Sequence, residues 1–197
     1  MNEYSSGLVS QSFWFIEFKK LLVELYNGKT MEDIKFLCIN ENFLGISNET
    51  RRKRVYGYLK NRLKYLNDDL IRLFINSSVS TQKLICLICI LKENRLFFEF
   101  MYEIYREKII LGCGHIEDAD IFIFFKNKQN QDEIVSKWTD ATLKRLKGSY
   151  TTFLIESNLL VLKDDKKNIN KPILDLKLEK YLRDNDINIL KVLTGEM

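Results

Sequence analysis

Leu96-Phe97-Phe98-Glu99-Phe100-Met101-Tyr102-Glu103-Ile104-Tyr105-Arg106-Glu107-Lys108 is apolar on one side and charged on the other when wound as a helix. A segment of that kind is a helix packed deep in a helical protein. It continues a longer pattern, in which Ser80 to Glu93 and Arg95 to Leu111 form two apolar helices joined at Asn94. So tight a joint packs them antiparallel. Gly112 and Gly114 stop the second. Glu99, Glu103 and Glu107 recur at four-residue steps beside Arg106 and Lys108, which is the spacing of an ion-pair stripe rather than of catalytic carboxylates.

Toward the N-terminus, Phe15, Phe18, Leu22 and Leu25 recur at three- and four-residue steps. They predict a first helix capped by Ser10 or Ser12 and ended near Asn27 by Gly28. Thr30 with Asp33 forms a capping-box pattern and opens a second helix through Ile34, Leu37 and Cys38. After a loop, Ser47 or Asn48 caps a third helix to about Leu66, with Val55, Leu59, Leu63 and Leu66 as its buried stripe. Helix, short helix, turn and longer helix suit a helix-turn-helix. Asp68 to Asn76 reads as a short helix leading into the core.

Beyond the core, Glu117 to Asn127 reads as a helix with an aromatic face of Phe122 and Phe125. A short helix follows around Asp132 to Lys137. Thr139 then caps a long helix to about Asn158, buried through Leu143, Leu146, Tyr150 and Leu154. Leu159 to Leu162 and Ile169 to Leu174 flank a polar tip, Lys163 to Asn168, and predict a β-hairpin. That order is the order of a winged helix. Two short helices finish the chain.

The expected fold is therefore all-α, a compact multi-helix body with helix-turn-helix elements and one small C-terminal β-hairpin. It divides into an N-terminal lobe over 1–66, a central core over 67–116 and a winged-helix-like lobe over 117–197, the three forming one unit. With one proline and eight glycines in 197 residues, a turn-rich all-β fold lacks its material.

The net charge of +4 is modest, so only its distribution bears on partners. Residues 51–64 hold Arg51, Arg52, Lys53, Arg54, Lys60, Arg62 and Lys64 and no acid. At about 100° per residue, Lys53, Lys60 and Lys64 lie opposite Val55, Leu59 and Leu63. Arg54 and Asn61 lie beside them, with Gly57 in the middle. Cations at a helix N-terminus oppose the macrodipole, and a helix that keeps them there keeps them for a partner. The other reading of this face is a plain solvated surface. Lys144, Arg145 and Lys147 on the long helix, and Lys163, Lys166 and Lys167 at the wing tip, form a second basic group around Gly148 and Thr152. Asp140, Asp164 and Asp165 dilute it, and a solvated surface accounts for it equally well.

Catalysis and metal binding find little support. Cys86-x-x-Cys89 with Cys113-Gly114-His115 can be drawn as four zinc ligands. Cys86 and Cys89, however, lie within the apolar Leu84 to Ile90 segment, where cysteine acts as a small hydrophobe. Zinc knuckles place such a pair on a turn. His115 is the single histidine. No nucleophile has a base and an orienting group beside it, and no phosphate-cradling glycine loop is present. No enzyme activity, cofactor or metal is expected. The longest apolar run, Leu84 to Leu91, is far short of the roughly 18 to 20 residues of a membrane span. Met1 to Gly7 carries no signal pattern. A cytoplasmic protein with reduced thiols is expected.

Gly7-Leu8-Val9-Ser10, Glu49-Thr50-Arg51-Arg52-Lys53-Arg54-Val55, Arg95-Leu96-Phe97-Phe98-Glu99-Phe100-Met101-Tyr102-Glu103, Lys137-Trp138-Thr139 and Glu156-Ser157-Asn158-Leu159-Leu160 occur in this order, followed by Pro172-Ile173-Leu174. The ordered set resembles the BrxA family of BREX (bacteriophage exclusion) systems, which methylate host DNA and block phage replication. The resemblance implies an all-helical fold likened to the antitermination factor NusB, helix-turn-helix elements and non-catalytic binding of double-stranded DNA. An inner-membrane label attached to that family finds no support in a chain without a span. The alternatives are a scaffold docking other BREX subunits, including the methyltransferase, and RNA binding by analogy with NusB.

Overall fold

The computed structural model describes residues 3–196. Met1, Asn2 and Met197, the outermost positions of the expected first and last lobes and of the expected leaderless start, lie outside the described residues. A 3-10 turn, Gly7–Ser10, precedes α1 (Phe15–Tyr26), α2 (Met31–Ile39), α3 (Glu49–Leu63), α4 (Asp68–Ile75) and α5 (Val79–Glu93). The opening stretch then forms α6 (Arg95–Phe100), a π-helical turn (Met101–Arg106) and α7 (Glu107–Ile110). β1 (His115–Ile116), α8 (Asp118–Gln131), α9 (Glu133–Ser136), α10 (Asp140–Glu156), β2 (Leu160–Lys163), β3 (Lys166–Ile169), α11 (Leu176–Asn185) and α12 (Ile187–Thr194) complete the chain.

Helix ends follow local chemistry. Thr30 and Asp33 form a reciprocal capping box, and Asn48, Asn67, Ser78, Asn94 and Thr139 each accept from a backbone amide of the helix they open. α1 ends on Gly28 at φ +90°, with Gly28 N donating to Leu25 O and Lys29 N to Glu24 O. α10 ends in the same pair of bonds around Asn158 at φ +63°. The first helix departs from expectation. Neither Ser10 nor Ser12 caps it; Trp14 stands at its N-cap with φ +49°, a left-handed conformation that strains a bulky side chain.

α5 is buried from Leu84 to Leu91 without interruption, so it is the axis around which the other helices pack. Beside it, Phe97, Phe100 and Phe125 surround the buried ring of Tyr150, with Phe97 at 4.6 Å and Phe100 at 5.2 Å between ring centroids, while Phe153 packs on Phe97 and Phe124 on Phe100. This aromatic cluster joins α6 to α8 and α10. The expected aromatic face of Phe122 and Phe125 is divided: Phe125 faces inward with Phe124, whereas Phe122 is 60% exposed. The expected ion-pair stripe forms largely across helices. Glu99 binds Arg95, Lys128 and the Tyr4 hydroxyl; Glu103 binds Lys128; Glu107 binds Arg106; Lys108 reaches Asp120 instead. Burial raises the Glu99 carboxyl, but its hydrogen bonds from Lys128, Arg95 and Tyr4 outweigh this and hold it below the ordinary glutamate value.

The predicted hairpin is present with a tighter turn than expected, its second strand being Lys166–Ile169 within the expected polar tip rather than Ile169 to Leu174, and it is enlarged by one strand. β2 and β3 pair antiparallel from Leu160↔Ile169 to Lys163↔Lys166, around Asp164 and Asp165, both at positive φ as a two-residue type I′ turn requires. β1 adds to the other edge of β3 with His115 opposite Asn168, giving the order β1-β3-β2. Two residues between Gly114 and Glu117 carry too little pattern to be legible as a strand. Among the described residues, no helix is long and apolar enough to cross a membrane.

Candidate nucleic-acid interface

α3 turns Val55, Leu59 and Leu63 inward as expected, but it ends at Leu63, so Leu66 of the expected stripe lies past the helix and is half-buried. Arg51, Lys53, Arg54, Lys60 and Lys64 are exposed, and Arg52 and Asn61 are half-buried. Lys53 pairs with Glu49 at 2.6 Å, and Lys64 donates to Asn61 Oδ1 at 2.8 Å. Glu49 occupies the first turn, where a carboxylate offsets the repulsion between the macrodipole and the cations that follow.

Arg62 does not belong to this face. It is fully buried, donating from Nη1 to Phe13 O at 2.5 Å and from Nη2 to Ser12 O at 2.8 Å and Gln11 Oε1 at 3.1 Å. Its guanidinium lies 5.4 Å from the Trp14 ring centroid, and Trp14 stacks on Tyr58. Burial depresses its ordinarily very high pKa. The helical wheel explains the correction: position 62 falls about 20° from Val55, at the edge of the inward side. Arg62 therefore anchors the chain entering α1 and holds the strained Trp14 in place.

The same N-terminal segment ties α3 to α10. The Tyr58 hydroxyl is 2.9 Å from Ser10 Oγ, and Arg145 Nη2 donates to Val9 O at 3.2 Å. Successive residues thus fasten both basic helices. On α10, Lys144, Arg145 and Gly148 are exposed and Lys147 is half-buried. Lys163 and Lys166 are exposed on the wing and Lys167 is half-buried. Lys147 and Lys167 both bind Asp118, the first residue of α8. Hydrogen bonds from the two lysines hold its carboxyl down to about 2. Asp118 gave no signal in the sequence, because its partners lie 29 and 49 residues away. It pairs with two of the cations assigned to this face, offsetting one of their two charges, and staples the wing to α8 and α10.

An open cleft of about 630 Å³ runs between α8 and α10, with Ile121, Phe122, Phe125 and Leu143 inside and Lys126, Lys144 and Asp140 at its rim. Lys126 pairs with Asp140 at 3.4 Å. No base–nucleophile pair lines it.

The cysteines are placed as their surroundings predict. Cys86 and Cys89 are fully buried on α5, and burial pushes the Cys86 thiol up to about 12 and raises Cys89 as well. Cys113 is exposed, and His115 Nε2 lies 3.2 Å from Glu117 Oε1. Among the described residues, no group of three His, Cys, Asp or Glu is placed to hold a metal ion.

The arrangement matches known proteins along its whole length. A crystal structure of an uncharacterized protein from Magnetospirillum magneticum shares the fold, with a TM-score of 0.82 over 99% of this chain and 100% of that one at 18% identity. The BREX protein BrxA of Bacillus cereus (strain H3081.97) is 36% identical over 194 residues, covering 98% of this chain and 97% of the relative. The BrxA family model matches residues 2–186. Fold, ordered motifs and end-to-end identity agree, and the chain belongs to the BrxA family.

Proposed function

We propose that this protein is a non-enzymatic, cytoplasmic accessory component of a BREX phage-defence system that binds double-stranded DNA through α3 and through α10 with its wing. The observation that carries the reading is the outer face of α3. Arg54, Lys60 and Lys64 project from it, Arg51 is exposed in the first turn, and among the described residues only Lys53 of the exposed cations of α3 pairs with a carboxylate. Such a face neutralises phosphates and positions a duplex without reading bases. The C-terminal part adds support. β1, α8, α9, α10 and the β2–β3 hairpin follow in the order of a winged helix, with three residues between α9 and α10 as a helix-turn-helix turn requires. The nine residues between α2 and α3 make the first such element a looser version. Lobes 1–66, 67–116 and 117–197 act in this reading as two binding elements on one core.

The decisive test changes Arg54, Lys60 and Lys64 together to alanine. Log K for duplex DNA falls linearly with log salt at about −0.9 per phosphate contact, so the variant flattens the slope by roughly two to three units. Affinity falls about equally for unrelated sequences. A folded variant with unchanged affinity and slope refutes α3 as the DNA surface.

A second reading, docking of another BREX subunit such as the methyltransferase, is favoured by one observation. The α8–α10 cleft exposes Phe122 at 60% and neighbours Ile123 at 56%. The cleft shares Lys144 and Lys147 with the α10 surface, so a subunit seated there competes with DNA at α10 and leaves α3 open.

A further inference from the structure

α3 and α10 carry the same short pattern in the same place. Lys53-Arg54-Val55-Tyr56-Gly57 and Lys144-Arg145-Leu146-Lys147-Gly148 share Lys-Arg-apolar-x-Gly. In each helix the lysine stands five residues past the capping residue, Asn48 or Thr139, and the glycine nine past it. Val55 and Leu146 are buried, which fixes the rotation of each helix and turns the glycine to the centre of the outer face.

Nothing inside the molecule requires either glycine. A Cβ built on Gly57 or Gly148 meets no atom within 4 Å, and neither adopts positive φ. Gly195 differs, since a Cβ there would stand 2.6 Å from Ile109 Cγ2. Glycine is a poor residue for a helix interior, so two unforced glycines in matching positions call for a reason outside the chain. Their surroundings supply its chemistry. Gly57 is bracketed one turn away by Lys53 and Arg54 on one side and Lys60 and Asn61 on the other. Gly148 is bracketed by Lys144 and Arg145, and by Thr151 and Thr152. Cations, an amide and hydroxyls around a bare stretch of helix backbone suit an anionic strand that comes into van der Waals contact with it.

We propose that Gly57 and Gly148 are two equivalent seats for the sugar–phosphate backbone of a DNA duplex. This rests on the DNA-binding reading of α3 and α10 above. The bonds from Tyr58 to Ser10 and from Arg145 to Val9 hold the two seats in fixed relation, so one rigid surface presents both. Lys53 serves its seat while shared with Glu49, and Arg145 while bound to Val9.

The test is Gly57→Ala, Gly148→Ala and the double variant in the full chain, read by thermal unfolding and by salt-titrated binding to duplex DNA. Alanine extends the better helix former, so each single variant raises Tm by about 2–4 °C. Each weakens duplex binding about fivefold or more, because a methyl group holds the strand off. The salt slope stays unchanged, because no charge is removed. Alanine variants that gain stability and bind duplex DNA as the wild type does overturn the seats. If Arg54, Lys60 and Lys64 then still contribute to the slope, the DNA-binding reading survives without them. A fall in Tm overturns the inference from the other side, by showing that the glycines serve the fold. A wild-type chain that does not bind duplex DNA overturns both proposals.

Discussion

Replacing Arg62 with alanine separates folding from binding, because the sequence grouped this residue with the phosphate contacts and the structure buries it. The side chain is fully enclosed and donates to Phe13 O, Ser12 O and Gln11 Oε1. Removing it leaves two main-chain carbonyls without their charged donor, at about 1–3 kcal/mol each. It also empties a large volume beneath Trp14 and removes the ring contact that helps hold its backbone at φ +49°. Relief of the guanidinium's own desolvation offsets part of this. The net loss is about 3–5 kcal/mol, which lowers Tm by roughly 8–15 °C in a chain of this length. Arg62→Lys keeps the charge without the planar fork and recovers only part of the loss. Urea unfolding followed by two probes measures the stability, and binding is read below the transition of the variant. The slope of log K against log salt stays at the wild-type value. A loss under about 1 kcal/mol, or a slope flattened by about one unit, would refute the structural role and return Arg62 to the DNA face.

Asp118→Asn frees Lys147 and Lys167, and duplex affinity rises while the wing loosens from α8. The carboxyl is depressed in the folded state to about 2, so its stabilising contribution is full above its unfolded value of about 3.9 and is lost as pH falls toward 2. The stability gap between wild type and variant, followed by thermal unfolding, therefore closes over that acid window; a gap that persists unchanged at pH 2 contradicts the pairing. Native protein treated with a thiol reagent labels at Cys113 and is protected at Cys38, Cys86 and Cys89, which react only on unfolding. Rapid native labelling of Cys86 or Cys89, located by peptide mapping, would show that α5 is not the closed axis described above.

Short-range chemistry was legible without coordinates. Thr30 with Asp33, Asn48, Thr139 and Gly28 mark helix boundaries because a cap acts within three or four residues of itself. The unbroken apolar run of α5 and the stripe of Val55, Leu59 and Leu63 place the core because a helix has one period. The same reasoning put Arg54, Lys60 and Lys64 outside, and the order of motifs along the chain pointed to the family. Tertiary structure decided what depended on distant partners. Arg62 was turned from a surface cation into an anchor by carbonyls about fifty residues earlier. Lys147 and Lys167 were drawn onto Asp118 by the meeting of α8, α10 and β3. Trp14 took the place of a serine cap because Tyr58 and Arg62 hold its ring. β1 became a strand only because β3 lies beside it. Periodicity and capping are properties of a few neighbouring residues, whereas burial of a charge and pairing of a strand edge belong to whichever segments the folded chain brings together.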